Sequence, residues 1–241
     1  PFVVTTRDGG RFSTKVAEDL DPGDWLPLAP AWEPSVSVGT PRVLDVLQAV
    51  EAADIEAANI IMHPAVEEMR RLAASGPAAL GAAIAPLRHR RGRSRVYEIF
   101  RTGSLRLDEL AMACVSLSGA RASTVKNGTR IPTAITADSA FWRVVGLYLA
   151  EGHCTTDGRR RRLVWSFHPT DERALVDEVA AYWHGLGVKA DVRRMSTSTA
   201  VSISSRLLAS FLLDILEVGG DCYSHRIPDL DRKSTRLNSS H

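Results

Sequence analysis

The sequence predicts an α+β protein, and three observations carry that expectation. Residues 160–168 alternate, with Leu163, Trp165 and Phe167 on one side and Arg162, Val164, Ser166 and His168 on the other, the period-two pattern of a half-buried strand. A second alternation sets Val188, Ala190 and Val192 against Lys189, Asp191 and Arg193, and a return strand sets Val201 and Ile203 against Ser202 and Ser204. Apolar residues at helical spacing flank both hairpins, around 142–152, from 171 to about 187, and over 205–218. The resulting order is helix, two strands, helix, two strands, helix. One sheet face should bury Leu163, Trp165, Phe167, Val192, Val201 and Ile203, while Arg162, Lys189, Arg193 and Ser202 project from the other.

Composition narrows the function classes. The 241 residues are 44% apolar and carry a formal net charge of +2. No apolar run reaches the length of a membrane span and no signal peptide is visible, so no membrane partner is expected. Cys114, Cys154 and Cys222 fit neither a zinc spacing nor a disulfide framework, which points to a reducing, cytoplasmic setting. The charge is unevenly spread. Arg88, Arg90, Arg91, Arg93, Arg95, Arg101 and Arg106 crowd one stretch, and Arg159 to Arg162 run unbroken, a distribution that favours a polyanionic partner.

Taken in order, the chain opens on short strands and turns. Phe2-Val3-Val4 leads into Asp8-Gly9-Gly10, a hairpin signal, then Arg11 to Val16, then the turn Asp21-Pro22-Gly23-Asp24. Residues 35–41, rich in Ser, Gly and Pro, mark a boundary. From Arg42 to Ala74 apolar residues recur at roughly helical spacing, broken at Pro64. Ala78 to Ile84 and Ser94 to Arg101 then read as two helices about a turn, the outline of a helix-turn-helix with Arg91, Arg93 and Arg95 placed to contact DNA.

The segment Trp142 to Gly152, WRVVGLYLAEG, carries the functional signal. Gly146 and Ala150, four apart, share one helix face, and small side chains there let a second helix approach closely. Glu151 falls at the helix C-terminus, where the macrodipole disfavours a negative charge by about 0.3–1 kcal/mol. A carboxylate kept there is better explained by a cation than by stability.

Val144 to Gly152 resembles the nine-residue motif of the LAGLIDADG homing endonucleases: Gly146 and Gly152 fall on its glycines and Glu151 on its acidic metal ligand. Ser205-Arg206-Leu207-Leu208-Ala209 is similar to the Ser-x-x-Leu-Ala opening of that family's last repeat helix, and His225-Arg226-Ile227-Pro228 to the Lys-x-Ile-Pro element after it. KVAEDLDPGDWLPL resembles a segment of Hint domains, the splicing module of inteins. These likenesses imply a partial Hint segment over 1–38, a helical, helix-turn-helix-like region over 39–137, and over 138–230 a LAGLIDADG αββαββα repeat whose four-stranded antiparallel saddle lies in the DNA major groove. Residues 231–241, DRKSTRLNSSH, resemble the in-frame translation of a sequencing adapter, so the natural chain is expected to differ beyond Leu230 and to begin before Pro1.

What the resemblance implies is Mg²⁺-dependent (or other divalent-cation-dependent) hydrolysis of double-stranded DNA. Glu151 would hold the metal, His168 the attacking water, and Arg226 the phosphate charge, with Arg160, Arg162, Lys189, Arg193 and Ser202 reading the duplex. The family's catalytic lysine is missing: His225 and Arg226 stand in its place. One repeat supplies one acid, so a second repeat in the same chain, or a second chain, is expected. The alternative implied is a DNA-binding regulator derived from the same fold. Self-splicing would belong to the parent intein, not to this segment.

Overall fold

The computed structural model describes residues 2–5, 12–21, 24, 41–87, 92–125 and 128–228. The chain divides into two units, Pro1–Thr40 and Pro41–His241. In the first, β1 (Phe2–Thr5) and β2 (Phe12–Lys15) pair antiparallel, Phe2 opposite Lys15, and Val4 is buried. Lys15 bonds the carboxylates of Asp21 and Asp24, and the Asp24 N–H closes a turn on the Asp21 carbonyl. The lysine beside it lowers the carboxyl pKa of Asp24. The Asp8-Gly9-Gly10 signal and residues 231–241 lie outside the described residues.

The second unit opens with β3 (Arg42–Asp45), the single helical turn α1 (Ala49–Ala52), β4 (Ile61–His63), α2 (Val66–Ile84) and α3 (Gly92–Thr102). There follow β5 (Leu105–Arg106), α4 (Leu107–Met112), β6 (Arg121–Ser123), β7 (Ile131–Pro132) and β8 (Ala134–Ala137). β3 pairs with β8, and β5-β4-β6-β7 form a four-stranded sheet, every pair antiparallel. The expectation of helices from Arg42 to Ala74 is therefore corrected: two strands precede α2. Val43-Leu44 and Ile60-Ile61 are short apolar pairs rich in β-branched residues, which favour pleated backbone and fit either periodicity over so few positions. Likewise the described residues of 39–137 are mixed α and β rather than helical.

α2 is two helical pieces meeting at Gly76, whose φ of 85° only glycine adopts without strain; Pro77 then starts the second piece, where a missing N–H costs nothing. α2 packs on α3. A bidentate ion pair closes this region: Arg95 on α3 donates to both oxygens of Glu109 on α4, at 2.8 and 2.7 Å, and Glu109 also accepts the Arg106 N–H. Glu109 is fully buried.

The remainder of the unit runs α5 (Ser139–Glu151), β9 (Gly152–Asp157), β10 (Arg160–Phe167), α6 (Arg173–Gly185), β11 (Asp191–Arg194), β12 (Thr199–Ser204) and α7 (Arg206–Ser210), the last continued by a π-helical turn, Phe211–Ile215. Asp138 caps α5, accepting the Phe141 N–H at 2.8 Å, and Ser205 caps α7, accepting from Leu208. The four strands form one antiparallel sheet in the order β11-β12-β10-β9. Its register places Trp165 opposite both Gly152 and Val201, and Arg162 opposite Thr155 and Ser204. Leu163, Trp165, Phe167, Val201 and Ile203 are buried beneath α5, α6 and α7.

Val192 departs from that set. It shares the apolar face with Val201, yet is 50% exposed, because β11 is the edge strand and every residue of it is exposed. Two arginines strap the halves of this unit together by satisfying the orphan carbonyls of helix ends. Arg206 donates to Ala53 and Asp54 past α1, and Arg121 to Leu186 and Gly187 past α6.

His63, half-buried on β4, has an Nε2 with no hydrogen-bond partner among the described residues. Burial, helped by the Arg130 charge, pushes its pKa down from 6.5 to about 4. The unfolded residue takes up a proton that the folded one refuses, so this contribution to stability is complete above pH 6.5 and is lost as pH falls towards 4. After solvent screening the loss should be about 1–2 kcal/mol. Thermal melts between pH 7 and 4 should show the wild-type midpoint falling several degrees further than that of His63→Gln. Parallel curves would exclude His63 as the titrating group.

Candidate functional site

Two surfaces meet at the end of α5. The first is the outward face of the β9–β12 sheet. Strand alternation puts His153, Thr155, Asp157, Arg160, Arg162, Val164, Ser166, Asp191, Arg193, Ser202 and Ser204 on it, opposite the helices. Arg162 bonds the Ser204 hydroxyl across the β10–β12 pair at 3.1 Å. Arg160 and Arg193 are exposed and make no side-chain bond among the described residues. Lys189 lies before β11, not within it, and is paired with Asp191 at 3.1 Å. Of the two carboxylates on this face, Asp191 is paired with Lys189 and Asp157 lies opposite Arg160, and Arg162 and Arg193 leave it positive. Arg161, between two of them, points the other way and bonds Ser210 and Asp214. A run of four arginines therefore splits by pleat into outward charge and a structural tie.

The second surface is α5 itself. Phe141, Val144, Val145, Leu147 and Tyr148 are buried, while Arg143, Gly146 and Ala150 are exposed at helical spacing. A Cβ added at Gly146 would meet nothing within 4 Å. This small-residue face has no partner among the described residues. Glu151 is exposed at the helix end, and its carboxylate makes no hydrogen bond or ion pair among the described residues. Gly152 continues straight into β9, and a Cβ on it would run into the backbone and ring of Tyr148 at 2.4 Å. The turn that presents Glu151 accordingly requires glycine at 152.

The hook formed by residues 216–228 folds back over this helix end. Cys154 donates its N–H to the Gly220 carbonyl at 2.7 Å, and the Tyr148 hydroxyl donates to Gly219 at 3.3 Å. Burial raises the phenol pKa of Tyr148. Asp221 and Ser224 tie the hook to itself, and those bonds hold the Asp221 carboxyl below the usual range. His225 Nδ1 lies 2.9 Å from the Leu149 carbonyl, a contact that sequence reasoning missed because it joins residues 76 apart.

The remaining site residues expected from sequence are more dispersed. His168 follows β10, and its Nδ1 accepts the Asp171 N–H at 3.2 Å while its backbone N–H donates to the Glu172 carboxylate at 2.6 Å. It thus builds the turn into α6. With Trp165 opposite Gly152, Glu151 is level with Ser166, and His168 lies roughly 7 Å farther along the strand. Arg226 donates to the backbone and carboxylate of Glu217, so part of its guanidinium is committed within the hook. Arg95 is spent on Glu109 and Glu98 with its side chain only 13% exposed, which removes it from any phosphate contact. Arg91 and the side chain of Arg93 lie outside the described residues. On α3 Ser94, Tyr97 and Arg101 are exposed.

Among the described residues no three His, Cys, Asp or Glu side chains gather closely enough to hold a metal ion, and no helix is long and apolar enough to cross a membrane. No family model matches the chain. An uncharacterized protein of Methanocaldococcus jannaschii is 34% identical over 105 residues, covering 42% of this chain. The match spans 12% of that relative's length.

The two motif glycines should respond oppositely to alanine. Gly146→Ala fills open space and removes a helix-interior glycine, raising stability by about 0.5–1 kcal/mol. Gly152→Ala forces the chain off Tyr148 and should cost about 1–3 kcal/mol. Urea unfolding of the two variants checks this, and a destabilised Gly146→Ala would mean that the face is covered.

Proposed function

We propose that residues 138–230 form one LAGLIDADG-type repeat of a site-specific double-strand DNA endonuclease carried by an intein. The observation that carries this reading is Glu151: a carboxylate with no partner among the described residues, at the end of a helix whose Gly146 and Ala150 face is exposed among them. A second helix of the same kind against that face would bring a second acid beside the first. The αββαββα order of elements and the positive outward face of the sheet support the same reading.

In this account the sheet holds the duplex. Arg160, Arg162 and Arg193 meet phosphates, while Ser202, His153 and Thr155 reach base edges in the wide groove. Glu151 is the residue that would hold a divalent cation. Mg²⁺ takes one or two carboxylates and completes its shell with water and phosphate oxygens, so a lone acid fits half of a shared site. The chemistry supplied by the bound ion would be activation of the attacking water and stabilisation of the leaving oxygen. Arg226, with its outward N–H groups, is the candidate to offset phosphate charge. Arginine does not readily give up a proton, and its tie to Glu217 gives weight to a second reading, a DNA-binding regulator without cleavage.

Two measurements test the proposal. The affinity of the chain for duplex DNA should fall with salt, and Arg160→Ala, Arg162→Ala and Arg193→Ala together should reduce the log–log slope by about 2–3. In a protein that pairs this repeat with a second acid-bearing one, Glu151→Gln should abolish Mg²⁺-dependent cutting and leave affinity within about threefold, since binding rests on contacts spread over the sheet. Tight binding with no cutting by the wild type would select the regulator. No duplex binding at all would reject both.

A further inference from the structure

We infer that His225 is a positioning residue whose hydrogen bond to the Leu149 carbonyl holds the last turn of α5 and so fixes where Glu151 is presented. The meaning of Glu151 as a working acid rests on the nuclease reading; the bond itself does not.

The C-terminal carbonyls of a helix have no partner within it. At the end of α5 the Gly152 N–H takes the Tyr148 carbonyl, and the next one, on Leu149, is taken by His225 at 2.9 Å. A carbonyl only accepts, so Nδ1 carries the proton. The imidazole also leans on the Tyr148 ring, centroids 5.3 Å apart, and Tyr148 is itself tied to Gly219. The hook delivers the ring with little freedom. His225 donates its N–H to Asp221 at 3.0 Å, and Arg226 donates to Val218 at 3.1 Å. Glu151 lies two residues beyond Leu149 and its carboxylate has no tie among the described residues, so the backbone of this turn sets its place.

The other ring nitrogen gives the reason for histidine. Nε2 is buried with no hydrogen-bond partner among the described residues, a cost that phenylalanine at 225 would avoid while keeping the ring on Tyr148. What the imidazole adds is the Nδ1 bond. Stability alone would not favour it.

Two substitutions separate the ring from the bond. His225→Phe keeps the ring and loses the donor; His225→Asn keeps a donor near the Nδ1 position and loses most of the ring. By NMR on the full chain, His225→Phe should move the Leu149 carbonyl carbon shift to that of an unbonded group. It should also speed exchange of the Gly152 amide by roughly five- to tenfold, while the thermal midpoint holds or rises. His225→Asn should restore both signals to within about twofold of wild type. Unmoved Leu149 and Gly152 signals in His225→Phe would overturn the inference, as would failure of His225→Asn to restore them. These signals bear on this inference alone, whereas the cleavage result with Glu151→Gln bears on the nuclease reading alone.

Discussion

The second unit is organised around Trp165. It sits mid-sheet on β10, fully buried, and its indole N–H donates to the Val144 carbonyl on α5 at 3.2 Å. Its ring meets Tyr148 of α5 edge-on at 5.5 Å and Trp183 of α6 at 6.1 Å. One side chain therefore fixes two helices against one strand, through burial of a large aromatic surface and one satisfied polar group. The same residue lies opposite Gly152 in the strand register. The strand that follows α5 and the helix itself are thus anchored at one point, and Glu151 lies at the junction.

From that anchor follows the division of labour on α5. The side facing Trp165 is packed with Phe141, Val144, Val145 and Tyr148, while the side carrying Gly146 and Ala150 is exposed among the described residues. Glycine in a helix interior costs stability relative to alanine, and a carboxylate at the C-terminus works against the dipole. Neither helps this chain fold. Gly152 is different, because the backbone there leaves no room for a Cβ. Of the motif's conspicuous residues, then, one serves the fold and the others await a partner and a cation in the function proposed.

How much of this was legible in the sequence depended on the range of the interaction that decided each feature. β10 was legible because its two faces differ in polarity, and the pleat buries Leu163, Trp165 and Phe167 on one of them, although Val164 on the other is buried too. Val192 obeyed the same alternation but lies at the sheet edge, where the face is right and the cover is missing. β3 and β4 were read as helix because two or three apolar residues cannot distinguish two periods; pairing with β8 and with β5 and β6 decides them. Arg95 looked like a phosphate contact because its partner Glu109 is a tertiary neighbour. His225 was visible only as a departure from a motif, and its contact with Leu149 needed the hook to be folded.

The central claim is that the outward face of the β9–β12 sheet is the surface that meets duplex DNA. Site-specific photocrosslinking tests it most directly, with a benzoylphenylalanine at Ser202, on that face of an inner strand, and a second at Ala181, exposed on the far side of the sheet on α6. Capture of a duplex from Ser202 and not from Ala181 is the expected result. Capture from Ala181 with none from Ser202 would contradict the account.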